Sequence, residues 1–330
     1  MKNQLSARIV SIGSYLPEQV LSNQDLEGMV ETSDEWIVTR TGMRERRVAK
    51  ADEFTSDMGY KAAELALKRA GCSASELDLI IVATMSPDYI SPSTASLIQA
   101  RLGAGKAAAF DIQAACTGFL YGLSVAKAFI ESGLCKSVLL VAAEKMTAFM
   151  DYSDRSTCVL FGDGAAAALI KPEGEGLLID HICLGADGEC SDLLTIPAGG
   201  SRQPASLVTI EKRLHYFQMA GNQVFKHAVR RMSSAIEECL KEAKIEASDI
   251  TWLIPHQANI RILDALAKQF NLPDEKIVKT LEKYGNTSAS SVAIALDELL
   301  HEQALRSNDL LLLTAFGAGL TWGAAILRKA

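Results

Sequence analysis

Three side chains and one glycine loop in this 330-residue sequence are of types that do thiol and carbonyl chemistry. Cys116 closes the apolar stretch Phe110-Asp111-Ile112-Gln113-Ala114-Ala115. Helical spacing of Phe119, Leu120, Leu123, Val125, Ala126 and Ile130 follows it. A thiol where a strand turns into a helix meets unpaired N–H groups and the positive end of the helix dipole, which favour the nucleophilic thiolate. Gly118 reads as leaving the space above the sulfur open to a bulky substrate. By position alone Cys116 reads equally as a buried structural thiol, because free cysteines are commonly buried. His256 follows the apolar run Trp252–Ile254 and Pro255, which stops the ladder and presents the imidazole at a strand end. Asn286 lies in Tyr284-Gly285-Asn286-Thr287-Ser288, ahead of a helix to about Leu300, a loop-to-helix position like that of Cys116. Taken singly, His256 also reads as a bonded core residue and Asn286 as a helix cap. Phe316-Gly317-Ala318-Gly319 is either a tight turn or a set of backbone N–H donors for an oxyanion.

The elements that must position these residues follow from hydrophobic spacing. Ala7–Leu16 reads as a strand closed by Pro17. Asn23 and Ser33 are candidate caps for helices at Asp25–Val30 and Asp34–Thr39. A helix over Thr55–Ala70 ends at Gly71, and the continuous apolar run Leu77–Thr84 is a strand buried on both faces. After the proline-marked loop Pro87–Pro92 come a helix at Thr94–Leu102 and the Cys116 segment. A strand at Ser137–Ala142 follows, then a strand pair around Cys158–Ile170, split at Gly162-Asp163-Gly164.

The second half repeats the first. Leu67-Lys68-Arg69-Ala70 and Ala74-Ser75-Glu76-Leu77 return 173 positions later as Leu240-Lys241-Glu242-Ala243 and Ala247-Ser248-Asp249-Ile250, each ahead of an apolar strand. Val138–Val141 matches Leu310–Leu313, and Gly164-Ala165-Ala166 matches Gly323-Ala324-Ala325. Four matches in one order predict a duplicated α/β unit, with halves 1–172 and 173–330 joined by a connection over Lys171–Pro204. Two like halves packed together can share one site at their interface.

Composition sets the class. With 48% hydrophobic and 22% charged residues, the chain is a soluble globular protein with ample core. A net charge of −7 argues against general nucleic-acid binding. The seven cysteines lack metal-like spacing, which predicts neither disulfides nor a metal. No apolar run reaches bilayer length, and Met1–Leu5 lacks the apolar core of a secretory signal, so a cytoplasmic protein is expected.

Together these residues resemble the β-ketoacyl-acyl carrier protein synthase III family, condensing enzymes of the thiolase superfamily. The resemblance rests on Thr32-Ser33-Asp34-Glu35-Trp36-Ile37 with Arg40-Thr41-Gly42, on Ala114-Ala115-Cys116 and on Phe161-Gly162-Asp163-Gly164. It continues through Met219-Ala220-Gly221-Asn222 with Val224-Phe225-Lys226, Pro255-His256-Gln257-Ala258-Asn259, Gly285-Asn286-Thr287-Ser288 and Phe316-Gly317-Ala318-Gly319. It implies a thiolase-like αβαβα architecture and a two-stage reaction. Cys116 takes an acyl group, acetyl in the first instance, from acyl-CoA. Malonyl-acyl carrier protein then loses CO₂ to an enolate that His256 and Asn286 stabilise, and the enolate attacks the acyl-cysteine.

The resemblance implies roles for other residues too. The N–H groups of Cys116 and Ala318 form the oxyanion hole; Ala318 stands where the family often has glycine. Trp36, Arg40 and Arg155 contact CoA. Gln257, Ala258, Asn259, Ile260, Arg261 and Lys226 dock the carrier protein, with Lys268, Arg230, His227 and Arg231 adding positive charge nearby. Ser91 and Phe316 belong to the acyl pocket, Ser91 from a loop that closes the pocket of the partner in a homodimer. A small residue there would admit branched or longer primers. No permanently bound cofactor is expected. Asn286 stands where elongating condensing enzymes carry a second histidine. No glutamate lies between Glu76 and Cys116 to serve as the base of a hydroxymethylglutaryl-CoA synthase. The other readings are a secondary-metabolite condensing enzyme of the same fold and an inactive carrier-binding scaffold.

Overall fold

The structure, a computed structural model, describes residues 5–330; Met1–Gln4 of the N-terminal segment read above lie outside the described residues. Among the described residues nine strands form the main sheet, and its central pair, Arg8–Tyr15 beside Leu177–Ala186, pairs at Arg8↔Leu178 and Ile9↔Leu177 with a further bond from the Ile179 N–H to Ala7 O. Outward from Arg8–Tyr15 come Asp163–Lys171, Val138–Lys145, Leu79–Ala83 and Ala108–Ile112. The first two pairings are antiparallel and the last two parallel. Outward from Leu177–Ala186 come Thr321–Lys329, Leu310–Gly317 and Trp252–Pro255, paired antiparallel, antiparallel and parallel, with a parallel bridge Leu253↔Ile277 beyond them. Each side thus repeats one order and one set of directions.

Three buried clusters set the layers. The helices Gly118–Glu131 and Ser291–Glu302 are packed between both sets of strands, through Phe119, Leu123, Val292 and Leu296 against Ile81, Leu140, Ile254 and Leu313. Thr55–Ala70 covers the outer face of the first set with Met58, Ala62 and Ala66. Gly221–Ala243 and Ile260–Gln269 cover the outer face of the second with Met232, Ile236, Leu263 and Leu266. The result is the αβαβα stack of a thiolase-like α/β fold. Helices filling the middle explain why strands such as Leu79–Ala83 are buried along their whole length.

Several expectations change in detail. The first helix is Asn23–Glu27, and its cap is Ser22, in a reciprocal pair with Asp25; Asn23 instead turns inward to accept from Arg46. The strand expected at Cys158 is a helical turn, Arg155–Cys158, capped by Asp154, and only Asp163–Lys171 extends. The presumed connection over Lys171–Pro204 contains the ten-residue strand Leu177–Ala186. Its alternation of buried Leu177 and Ile179 with more accessible Leu178 and Asp180 is the strand signal that its flanking glycines obscured. Among the described residues no helix is long and apolar enough to cross a membrane.

Candidate active site

The nucleophile candidate sits on a strained turn. Ala115 has φ 45° and opens a 3-10 turn, Ala115–Thr117, that runs into Gly118–Glu131. A non-glycine residue in the left-handed region costs of order 1 kcal/mol and persists where its surroundings hold it. Cys116 is 6% exposed, and its S–H donates to Ser288 Oγ at 3.5 Å. Burial pushes the thiol up to about 12. Desolvation of the sulfur thus works against the thiolate that the helix end favours. Gly118 does not keep space open for a substrate either. A Cβ there would lie 3.1 Å from Ala83 Cβ and 3.2 Å from Ala289 Cβ, so its lack of a side chain lets the two central helices meet. The glycine that serves the sulfur's surroundings is Gly317, where a Cβ would fall 2.7 Å from Cys116 N. The end of Leu310–Gly317 therefore passes directly over the Cys116 N–H, and half-buried Ala318 follows it.

His256 ends the strand Trp252–Pro255, as its proline predicted, and is 3% exposed. Ser291 Oγ lies 2.6 Å from Nδ1 and also accepts from the Gln257 N–H at 3.4 Å. Where Ser291 donates to Nδ1, Nε2 carries the proton and is the free donor. Burial without a counter-charge drops the imidazole to about 3, so it is neutral at any ordinary pH. Asn286 is buried too. Its backbone is held by Asn286 N–H donating to Leu160 O (2.8 Å) and Gly162 N–H donating to Asn286 O (3.1 Å). Its Oδ1 accepts from the Ser288 N–H at 2.8 Å, which orients the amide and leaves its NH₂ as the free end.

Cys116, His256, Asn286 and Phe316 line one cavity of about 100 Å³, walled by Phe217, Val224 and Met232 among other apolar residues. Ser91, by contrast, is exposed and does not line the cavity of its own chain, and its neighbours Tyr89 and Ile90 are 59% and 92% exposed. Trp36 and Arg155 come together, the guanidinium carbon 4.6 Å from the ring centroid. A base between them needs roughly two contact distances, about 7 Å, so it would have to part the pair. Arg40 is exposed at the end of Asp34–Thr41, and its carbonyl accepts from Asn259 Nδ2.

The residues expected to dock a carrier protein divide. Lys226 and Arg261 are exposed, and Arg261 lies over the Phe225 ring at 5.1 Å. Ala258 and Asn259 line the cavity, and Asn259 also caps Ile260–Gln269. Ile260 packs against Gly42. Gln257 cannot touch a partner. It is 1% exposed, donates to Pro255 O and Val278 O, and accepts from the Thr280 and Leu281 N–H groups. Every bond its amide can make is spent inside the fold.

Residues 110–188 match the family model described as 3-oxoacyl-[acyl-carrier-protein] synthase III, and residues 240–329 match the model for its C-terminal part. The β-ketoacyl-[acyl-carrier-protein] synthase III of Chlamydia caviae is 56% identical over 330 residues, covering 100% of this chain and 98% of the relative. The chain belongs to the 3-oxoacyl-acyl carrier protein synthase III family. The solved structure of the family's Aquifex aeolicus enzyme superposes with a TM-score of 0.90 at 46% identity, covering 98% of this chain and 99% of that one. The priming β-ketosynthase of the R1128 polyketide pathway gives 0.91 at 36% identity, covering 100% and 99%.

Within this family fold, several residues around the cavity escaped the sequence reading. Ser288 (φ 51°), Ser291 and Glu144 surround the reactive groups, and Arg46 supports them from behind. Arg46 is fully buried and donates to Leu21 O, Asn23 Oδ1 and Val159 O, next to the Leu160–Gly162 segment that pairs with Asn286. Burial lowers its guanidinium to about 10. The signal available for Glu144 was a charge inside the apolar strand Val138–Lys145; Arg46 lay hidden in a basic stretch. The cysteines lack metal spacing in sequence, yet the ligand atoms of His181, Cys183 and Glu242 lie within 4.8 Å of one another. They bond among themselves, Glu242 Oε2 taking His181 Nε2 at 2.8 Å and Cys183 Sγ at 3.5 Å.

Proposed function

We propose that the protein starts fatty-acid chains by acylating Cys116 from a short acyl-CoA and condensing that acyl group with malonyl-acyl carrier protein, giving 3-oxoacyl-acyl carrier protein, CoA and CO₂. The observation that carries this reading is the meeting of Cys116, His256 and Asn286 on one mostly apolar cavity. In the first stage the sulfur attacks the thioester carbonyl, and the N–H groups of Cys116 and Ala318 take the charge on its oxygen. In the second, the malonyl thioester loses CO₂, and the negative charge of its carboxylate passes to the enolate oxygen. The enolate oxygen is held by His256 Nε2–H and the Asn286 amide. Both are neutral donors, so they stabilise the negative oxygen without protonating it. The apolar walls of the cavity, Phe217, Val224 and Met232 among them, suit an acyl chain.

Trp36, Arg40 and Arg155 hold the CoA nucleotide, the ring and guanidinium opening around the base. Lys226 and Arg261 form the positive surface for the acidic carrier. The loop Pro87–Pro92, with exposed Tyr89 and Ile90, reaches the pocket of a second copy in a homodimer. The two halves, 1–172 and 173–330, supply the nucleophile and the donors respectively. The enzyme works in the cytoplasm, and acyl-CoA is its substrate with no resident cofactor.

Intact-protein mass spectrometry after mixing with acetyl-CoA tests the first stage: one acetyl adduct is expected, absent in Cys116→Ala. An unmodified wild-type protein with acetyl-, isobutyryl- and hexanoyl-CoA alike would refute the reading. Arg261→Glu should weaken use of malonyl-carrier and spare acylation; equal loss of both would remove Arg261 from the docking surface.

A further inference from the structure

A second group of reactive side chains lies away from the cavity. His181 and Cys183 stand two apart on the strand Leu177–Ala186, opposite Ile326 and Ala324 of the neighbouring strand. Residues at that spacing share one face of a strand. Glu242, next to the last residue of the helix Gly221–Ala243, reaches the same face from the layer packed over it. Its Oε2 lies 2.8 Å from His181 Nε2 and accepts from the Cys183 thiol at 3.5 Å, and the three ligand atoms all fall within 4.8 Å of one another. Cys183 is buried, His181 is partly open and Glu242 is half-exposed, so the cluster has a fixed floor and an open mouth.

A surface histidine–glutamate pair would account for two of these side chains. It does not account for a buried thiol converging on the same carboxylate oxygen. Imidazole, thiolate and carboxylate are all ligands of zinc, whose bonds of about 2.0–2.3 Å set tetrahedral ligand atoms roughly 3.3–3.7 Å apart. The separation of Oε2 from Sγ already meets that spacing. Oε2 and Nε2 must part by about half an ångström, and the half-exposed Glu242 is the partner free to move. A single carboxylate offers too few hard oxygens for magnesium or calcium. Neighbouring groups are already engaged: Cys239, one helical turn before Glu242, donates to Ala324 O at 3.7 Å, and Asp180 is paired with Arg328 at 2.7 Å.

We propose that His181, Cys183 and Glu242 bind a divalent cation of the zinc class, with water from the open side as the fourth ligand. On binding, the Cys183 thiol gives its proton to solvent and the metal–sulfur bond forms. The neutral His181 ring carries its proton on Nδ1 and turns the Nε2 lone pair to the metal. Glu242 exchanges its two hydrogen bonds for one metal–oxygen bond. Thiolate and carboxylate cancel the two positive charges, which lets the ion rest on a buried floor. None of the three residues lines the cavity of Cys116, and Met232, which does, lies about 15 Å from Glu242 along the shared helix. The ion therefore takes no part in acyl transfer or condensation. It ties the strand to the far end of the helix whose near end, at Gly221, Val224 and Phe225, walls the cavity.

The test uses the full chain, stripped of metal with a chelator, and zinc chloride as the probe. Competition with a chromophoric chelator measures uptake in wild type, His181→Ala, Cys183→Ser, Glu242→Gln and, as a control for the thiol in the cavity, Cys116→Ala. Wild type and Cys116→Ala should each bind one zinc per chain with micromolar or tighter affinity. The three cluster variants should each lose more than roughly 10-fold, the least that removing even a hydrogen-bond partner of a ligand costs. Cobalt(II) in place of zinc should give a thiolate charge-transfer band and the intense visible bands of a tetrahedral site, both missing in Cys183→Ser. Saturating zinc should raise the unfolding temperature of wild type by roughly a few degrees and leave that of His181→Ala unmoved. Absence of binding at micromolar zinc overturns the proposal. So does binding that survives both His181→Ala and Cys183→Ser, or binding that disappears in Cys116→Ala. If Cys183→Ser does not fold, His181→Ala, altered at a partly open ring, decides alone.

Discussion

In the first half of the chain a left-handed residue, Ala115, opens a 3-10 turn that runs into Gly118–Glu131. In the second, Ser288 does the same ahead of Ser291–Glu302, at 51° where Ala115 has 45°. The two junctions touch, Gly118 meeting Ala289. At the repeat spacing of the sequence Cys116 therefore corresponds to Ala289, not to Asn286, which lies three residues earlier. The backbone frame repeats and the side-chain chemistry does not. One junction carries a sulfur; the other carries a methyl to pack against its twin, a hydroxyl at the strained position, and an amide just before it. Under the proposed function, dividing the chemistry lets the acylated thiol and the enolate donors be tuned separately on frames of the same shape.

The largest effects should come from removing that division. Cys116→Ala should abolish the acyl adduct, whereas His256→Ala and Asn286→Ala should keep it and lose condensation, by roughly 100-fold each, because only the second stage needs their hydrogen bonds. Comparing adduct mass with product formation checks this; loss of the adduct in Asn286→Ala would break the comparison. Next is the contact between the junctions. Ala289 is fully buried against Gly118, so Ala289→Leu should destabilise by about 1–3 kcal/mol in chemical unfolding and slow acylation, since the strain is passed straight to the Cys116 turn.

A finer test uses protons. His256 is held at about 3 against an ordinary 6.5, so the unfolded chain binds the extra proton and stability falls as pH drops below about 6.5. Glu144 is held at about 7 against 4.5, so the folded chain binds the extra proton and stability rises as pH drops from about 7 toward 4.5. Each slope is about 1.4 kcal/mol per pH unit, and they oppose. Wild-type unfolding free energy should therefore be nearly flat between pH 5 and 6.5. His256→Asn should become more stable toward acid, and Glu144→Gln less so. The smallest effect concerns the strained residues. Ala115→Gly should gain about 0.5 kcal/mol, relief of the left-handed penalty outweighing the added freedom of the unfolded chain. Ser288→Gly should gain less, because it also deletes the hydroxyl bonded to Cys116.

Much of this architecture could be read from the residues. Proline after an apolar run placed His256 at a strand end, and the 173-residue repeat foretold two like strand sets. What stayed hidden was whatever depends on contact across the chain. Ser288 meets Cys116 only because the two helix junctions abut. Gln257 stood inside a docking motif, yet its amide is wholly internal. The desolvation of Cys116 was hidden for a related reason: the helix end is local and visible in sequence, while the residues that bury the sulfur lie far along the chain.

Gln257 carries a mechanical consequence. Its amide ties Pro255, just before His256, to Val278, Thr280 and Leu281, the segment that leads into the Asn286 loop. The two enolate donors are thus riveted to one another, while their link to the sulfur crosses from one repeat to the other. Asn286 is tied in turn to Leu160 and Gly162 of the first repeat, so the segment that carries it cannot draw away from the Cys116 half without breaking those two backbone bonds.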